Sequence, residues 1–142
     1  MDLSSLLFSF TGRLNRAPYW LTSIGSIIAA SVVGVVAFTF AGRSAVAIML
    51  AGLVVLLLLW VTLALLTKRL HDRNKSAWWL LLFYLAPPIL HAIGQSIGST
   101  GFILGLIGFG VSIWALVELG FLRGTAGSNS YGPDPLQVRW SA

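Results

Sequence analysis

Long uncharged intervals dominate the pattern along the chain. Between Arg16 and Arg43 lie 26 residues without a formal charge, between Arg43 and Lys68 lie 24, and between Lys75 and Glu118 lie 42. A helix rising about 1.5 Å per residue needs roughly 20 apolar residues to cross a hydrocarbon core about 30 Å thick. The first two intervals therefore predict one span each and the third predicts two. The break in the third falls at Gly94-Gln95-Ser96 through Gly98-Ser99-Thr100-Gly101, a run of glycine and polar residues. The predicted spans are 18–40, 45–67, 77–97 and 101–122, leaving an N-terminal segment 1–17, a loop 68–76 and a tail 123–142. Lipid offers the backbone no hydrogen-bonding partner, so these are expected as helices rather than open strands. The run 53–59 lacks the period-two alternation of a barrel strand. The expected fold class is all-α, an integral membrane four-helix bundle.

Composition supports the membrane reading. Hydrophobic residues make up 57% of the 142 and charged residues 9%, with a mean hydropathy of +0.89. A soluble domain carries about 25% charged residues to cover its core, and a disordered chain needs still more. No cysteine is present, which leaves no disulfide frame and no thiolate chemistry. The apolar stretch after Arg13 and Arg16 is longer than the roughly 7–15 residues of a signal-peptide core, so the first span is expected to be retained.

Charge sets the expected orientation. Eight of the nine Lys/Arg residues fall on one side of a four-span arrangement: Arg13, Arg16, Lys68, Arg69, Arg73, Lys75, Arg123 and Arg139. Arg43 stands alone on the other. The positive-inside rule then places both termini and the middle loop in the cytoplasm. Tyr19, Trp20, Trp78 and Trp79 sit at the same ends of spans one and three, where amphipathic rings settle at headgroup level. The four loop cations suit contact with anionic headgroups, worth about 1 kcal/mol each, and explain the basic balance better than nucleic acid does.

Small residues mark where helices approach. Gly101, Gly105, Gly108, Ser112 and Ala115 form one stripe at alternating steps of four and three along span four. Its partner is open at this point: another helix of this chain, a second copy or another membrane protein. Ser26, Ala30 and Gly34 repeat at steps of four in span one. Pro87-Pro88 interrupts span three and predicts a kink or local break.

Few residues are equipped for chemistry. His91, one turn past the prolines, is expected to be a neutral imidazole bonded to a carbonyl that they free; the functional reading is a proton relay or ligand site. Glu118, near the end of span four, is expected to pair with the basic loop or Arg123 rather than carry transport. In the loop, Asp72 to Asn74 has turn chemistry and Asn74 tolerates a left-handed backbone. His71 and Asp72 are adjacent, so they do not face each other as an acid–base pair on a helix. One His and one Asp also fall short of the three or four ligands of a metal site. No nucleotide-binding loop, zinc-protease helix or nucleophile elbow occurs, so no catalytic residue, metal or cofactor is expected.

Three stretches together resemble the bacterial membrane-protein family called "domain of unknown function 805". Phe10, Gly12, Arg13, Arg16, Tyr19 and Trp20 match its N-terminal signature. Arg69, Leu70, His71, Asp72, Lys75, Ser76, Trp78 and Trp79 match the central one. Gly124, Gly127, Asn129, Tyr131, Gly132, Pro133, Asp134 and Pro135 match the C-terminal one. The chain departs at Pro18, where an acidic residue is usual, and at Asn74 and Ala77, where Gly is common. Pro18 suits the first turn of a helix.

The resemblance implies a small bacterial inner-membrane protein without an agreed activity. All three signatures fall on the side already assigned to the cytoplasm. The expected site is a polar cap under the bundle made of Arg13, Arg16, Arg69, His71, Asp72, Tyr131 and Asp134, with Asp72 and Asp134 as carboxylate partners of the arginines. The expected role is structural, accessory or regulatory and not enzymatic. The rivals are a small oligomeric transporter or channel using the kinked third span, and a lipid-modifying enzyme working through His71 and Asp72.

Overall fold

The computed structural model describes residues 2–40 and 44–137. Arg43 and Arg139, which enter the charge argument on opposite faces, lie outside the described residues. Helices account for the architecture: α1 (Leu3–Phe8), α2 (Arg16–Phe40), α3 (Ala45–Asp72), α4 (Ala86–Ser96) and α5 (Gly101–Leu116). A π-helical segment, Leu81–Leu85, leads into α4, and a second, Val117–Phe121, prolongs α5. Among the described residues there is no strand, only an isolated bridge between Asn129 and Gly132.

Side-chain caps start the first three helices. Asp2 accepts a hydrogen bond from the Ser5 amide at 3.1 Å at the head of α1. Asn15 does the same for Ala17 at 3.0 Å ahead of α2, and Ser44 for Ala47 at 3.3 Å ahead of α3. Each side chain satisfies one amide of a first turn that has no partner within its helix.

Three helical runs are long and apolar enough to cross a membrane: Arg16–Phe40, Ala45–Asp72 and Gly98–Phe121. The predicted third span is a shorter, interrupted element. Pro87 and Pro88 fall in the first turn of α4, where each lacks the amide that would bond back into the preceding turn. The expected break therefore takes the form of the widened Leu81–Leu85 turn just before them. A turn through Gly98, with φ of 72°, returns the chain into α5.

The helices pack as two hairpins, α2 against α3 and α4 against α5. The small-residue stripe of α5 has its partner within the chain. Gly94 and Gly101 touch backbone to backbone, and Gly108 lies under Pro87. Among the described residues, backbone packing between the hairpins is confined to the Val117–Phe121 turn, which meets both α2 and α3. The buried apolar core sits at that end, where Leu14, Tyr19, Leu65, Leu66, Leu70, Phe83 and Leu119 cluster. Away from it, most large apolar side chains of α2 and α3 face outward. That surface suits lipid rather than water.

The end of α3 differs from the expected one. The helix does not stop at 67, the predicted end of the span, but runs on to Asp72. Leaving the hydrocarbon does not end a helix; lack of backbone partners does, and here the carbonyls are supplied. Asn74 takes φ of 56°. The Lys75 amide reaches the Leu70 carbonyl at 2.9 Å, and the Asn74 amide reaches that of His71 at 3.0 Å. These are the paired bonds of a left-handed helix stop. Asn74→Gly is therefore expected to leave stability unchanged or slightly raised. Asn74→Ala should lose about 1 kcal/mol, read as the SDS midpoint of unfolding followed by circular dichroism.

Candidate functional site at the capped end

The last turn of α3 places Lys68, Arg69, His71 and Asp72 among the N-terminal segment, the end of α5 and the tail. Charged groups there are deeply buried: Arg69 is 0% exposed, Lys68 0%, Arg13 3% and Asp72 3%. Such burial is tolerable only with partners for every charge and donor. The partners are present. Asp72 Oδ1 accepts from Arg13 Nε at 3.1 Å, and Oδ2 accepts from Arg69 Nη1 at 2.6 Å. One carboxylate thus binds two guanidinium groups.

Backbone carbonyls take up what remains of the two arginines. Arg13 donates to the carbonyls of Gly127 at 2.6 Å, Gly132 at 3.3 Å and Thr125 at 2.5 Å. Arg69 donates to Leu119 at 2.6 Å, to Leu14 at 3.4 Å and to Leu122. The π-helical ending of α5 leaves its final carbonyls without partners along the chain, and side chains of α2 and the α3 region answer them in order. Gly120 accepts from Trp20 Nε1 at 2.9 Å, Phe121 from Arg16 at 3.4 Å, and Arg123 from Arg73. Cations at a helix C-terminus also meet the negative end of its dipole. Five successive carbonyls, from Leu119 to Arg123, are closed this way.

The tail in turn finishes α3. The amide of Thr125 donates to the Asp72 carbonyl at 2.8 Å, and Asn129 Nδ2 donates to that of His71 at 2.8 Å. His71 stacks flat on Tyr131, with ring centroids 3.8 Å apart and planes 7° apart, and its Nδ1 lies 3.3 Å from the Gly12 carbonyl. Gly124 passes directly over Asp72, where a Cβ would fall 2.1 Å from the carboxylate. Asp134 accepts from the amides of Leu136 at 2.9 Å and Gly127 at 3.2 Å. These amides, Leu136 first, hold its carboxyl below the usual aspartate value.

Of the expected cap residues, six come together: Arg13, Arg69, His71, Asp72, Tyr131 and Asp134. Arg16 is beside them but exposed, and among the described residues it pairs with no carboxylate. Among the described residues Asp134 makes no direct ion pair with an arginine; its oxygens accept from backbone amides. Glu118 lies 3.0 Å from Arg73 and 3.6 Å from Lys75, while Arg123 meets this group through its carbonyl. His91 differs from expectation: its Nε2 accepts from the Gln95 side-chain amide at 3.0 Å, one turn along α4, and among the described residues it bonds to no carbonyl freed by a proline. Lys68 and Thr125 are structural members of the cap that sequence reasoning did not single out. Lys68 Nζ donates to the carbonyls of Ser5, at 2.8 Å, and Leu6, which end the short α1.

Comparison with known proteins identifies the family. The family described as "Protein of unknown function (DUF805)" matches residues 7–133. The chain belongs to this family. As a DUF805 member it is similar to "Uncharacterized protein YiiR" of Escherichia coli (strain K12), 33% identical over 150 residues, covering 100% of this chain and 96% of that one. It is also similar to two proteins of the same strain called "Inner membrane protein". YhaH is 31% identical, with 89% of this chain and 86% of that one covered. YhaI is 29% identical, with coverage of 89% and 85%. No solved structure matches the chain significantly. The DUF805 match begins before Arg13 and ends just short of Asp134, so it contains nearly the whole cap.

Proposed function

We propose that this DUF805 protein is a non-enzymatic, multi-pass inner-membrane component with a structural, accessory or regulatory role, both termini cytoplasmic and the cap as its interaction surface. One observation carries the reading. The signature side chains spend their hydrogen-bonding capacity on one another and on backbone carbonyls, as a clasp does, instead of aiming it into an open reaction site. Asp72 alone ties the N-terminal segment, α3 and, through its carbonyl, the tail. Four spans are supported by the helical turns from 79 to 96. Their 18 residues reach about 27 Å, close to the thickness of a hydrocarbon core. The excess of Lys/Arg at the cap end supports the orientation.

The chain lacks cysteine, so a single introduced one reports its own position. In intact cells, Ser99→Cys is expected to react with a membrane-impermeant maleimide, and Ser128→Cys only after permeabilisation. Purified in mild detergent, the native chain should carry a stoichiometric membrane-protein partner that Asp72→Asn weakens. Two results would overturn the proposal: solute flux in liposomes abolished by His91→Ala, or lipid turnover abolished by His71→Ala.

A further inference from the structure

Two arginines at the capped end are not consumed by the clasp. Arg16 makes one long bond, 3.4 Å, to the Phe121 carbonyl. The guanidinium of Arg123 makes no hydrogen bond among the described residues, and both side chains are exposed. Together with Asn15, Gly124 and Leu136 they border a small hollow of about 160 Å³. Asp72 and Asp134 also reach it: the first is neutralised by Arg13 and Arg69, and the second is a carboxylate held in its charged form by two backbone amides, so at the hollow one carboxylate stands against the two arginines and the cations remain in excess. The four loop cations offer no such free charge. Lys68 and Arg69 are buried on carbonyls and a carboxylate, and Arg73 and Lys75 share Glu118.

From Arg16 one stripe of α2 leads straight away from the cap. Trp20, Ser23, Ile27 and Ala30 follow it at steps of four, three, four and three, so they share a helix face. Those four residues line a groove of about 480 Å³ between the two hairpins, with Val55, Leu58 and Leu59 of α3 on one wall and Tyr84 and Leu116 on the other. The stripe from Arg16 to Ala30 measures roughly 21 Å, a length that matches an acyl chain held upright in one leaflet. The hollow and the groove share no lining residue, but the Arg16–Trp20 turn of α2 connects them, so charge, an indole and an apolar groove follow one another along one helix face in the order of a phospholipid.

We propose that the groove between the hairpins holds one anionic phospholipid, its phosphate between Arg16 and Arg123 and an acyl chain along Trp20 to Ala30. Paired guanidinium groups suit a phosphodiester, and the bilayer supplies the ligand in place. The bound lipid fills the space that backbone packing leaves between the hairpins. The inference rests on the membrane reading, yet maleimide labelling at position 128 tests that reading separately, so the two failures are distinguishable.

The test offers the detergent-purified full chain an equimolar mixture of phosphatidylglycerol and phosphatidylcholine with identical acyl chains, and counts retained lipid by native mass spectrometry. The expected result is one phosphatidylglycerol per chain. The double variant Arg16→Gln/Arg123→Gln should reduce the preference roughly thirtyfold, at about 1 kcal/mol for each headgroup-level cation. Arg16→Lys/Arg123→Lys should keep most of it, and Ala30→Trp should lower retention of both lipids. Equal retention of the two lipids by the native chain would overturn the proposal. Displacement by soluble glycerol phosphate would also do so, as the mark of a free-phosphate site. A disulfide-linked dimer of Ala30→Cys would do so by putting a second copy in the groove.

Discussion

Asp72→Ala is expected to be the most damaging single substitution at the cap, lowering stability by about 3–5 kcal/mol. The native carboxylate accepts from Arg13 at 3.1 Å and from Arg69 at 2.6 Å, with all three side chains almost wholly removed from solvent. Removing it leaves two buried guanidinium groups without a counter-charge. Neither moves readily to water, because carbonyls of Gly127 and Thr125 hold the first and those of Leu119 and Leu122 the second. Asp72→Asn keeps the shape and one acceptor oxygen, so its loss should be smaller. The measurements are the SDS midpoint of unfolding by circular dichroism and the rate at which a protease cuts within 123–137. Both should move together in Asp72→Ala, since the same side chain supports Arg13, which holds the tail. A midpoint changed by less than about 1 kcal/mol would mean that the pair is worth no more than an exposed one.

The spans and the cap were legible in the sequence to different depths. Uncharged intervals located α2, α3 and α5 because lipid requires long apolar runs, a constraint written residue by residue. The stripe from Gly101 to Ala115 was legible for the same reason: helical period is local. Its partner was not, since Gly94 and Pro87 are identified only when the α4–α5 turn brings them back. The Leu81–Leu85 π turn was half legible, for Pro87-Pro88 announces a break without saying how the backbone absorbs it.

Residue type marked the cap, but its wiring was hidden. Arginine and aspartate at signature positions pointed to ion pairs, and Arg13–Asp72 and Arg69–Asp72 are present. The other partners are backbone carbonyls, which every residue carries and no pattern distinguishes. Hence Lys68 read only as a loop cation facing lipid, and Arg69 both as one and as a cap residue, whereas both lie buried against the ends of α1 and α5. Arg16 read as a member of the clasp for the same reason. Its exposure follows from standing first in α2, on the stripe that leads into the groove, while Asn15 closes the turn behind it. Asn74 was the clearest success of local chemistry, because a left-handed residue at a helix stop depends on its own side chain.

Gly101→Ala is expected to separate α4 from α5 and to cost at least the upper part of the about 1–3 kcal/mol typical of overpacking. A Cβ at this position falls 1.7 Å from the Gly94 carbonyl oxygen and 2.4 Å from its carbon. The reverse substitution fares little better, since a Cβ on Gly94 meets the Gly101 carbonyl oxygen at 2.6 Å. Both obstacles are backbone, so no rotamer change relieves them and the helices must move apart. Two neighbours provide the contrast. Gly105→Ala meets only His91 Nδ1 at 3.9 Å, an ordinary contact, and Gly34→Ala meets nothing within 4 Å. Both glycines lie inside helices, where alanine is preferred by about 0.5–1 kcal/mol, so these variants should match or exceed the native chain. The SDS midpoint should therefore fall for Gly101→Ala while holding or rising for the other two. Equal midpoints for all three would mean that α4 and α5 do not touch at Gly94, and with that contact would go the placement of the hairpin that forms one wall of the groove.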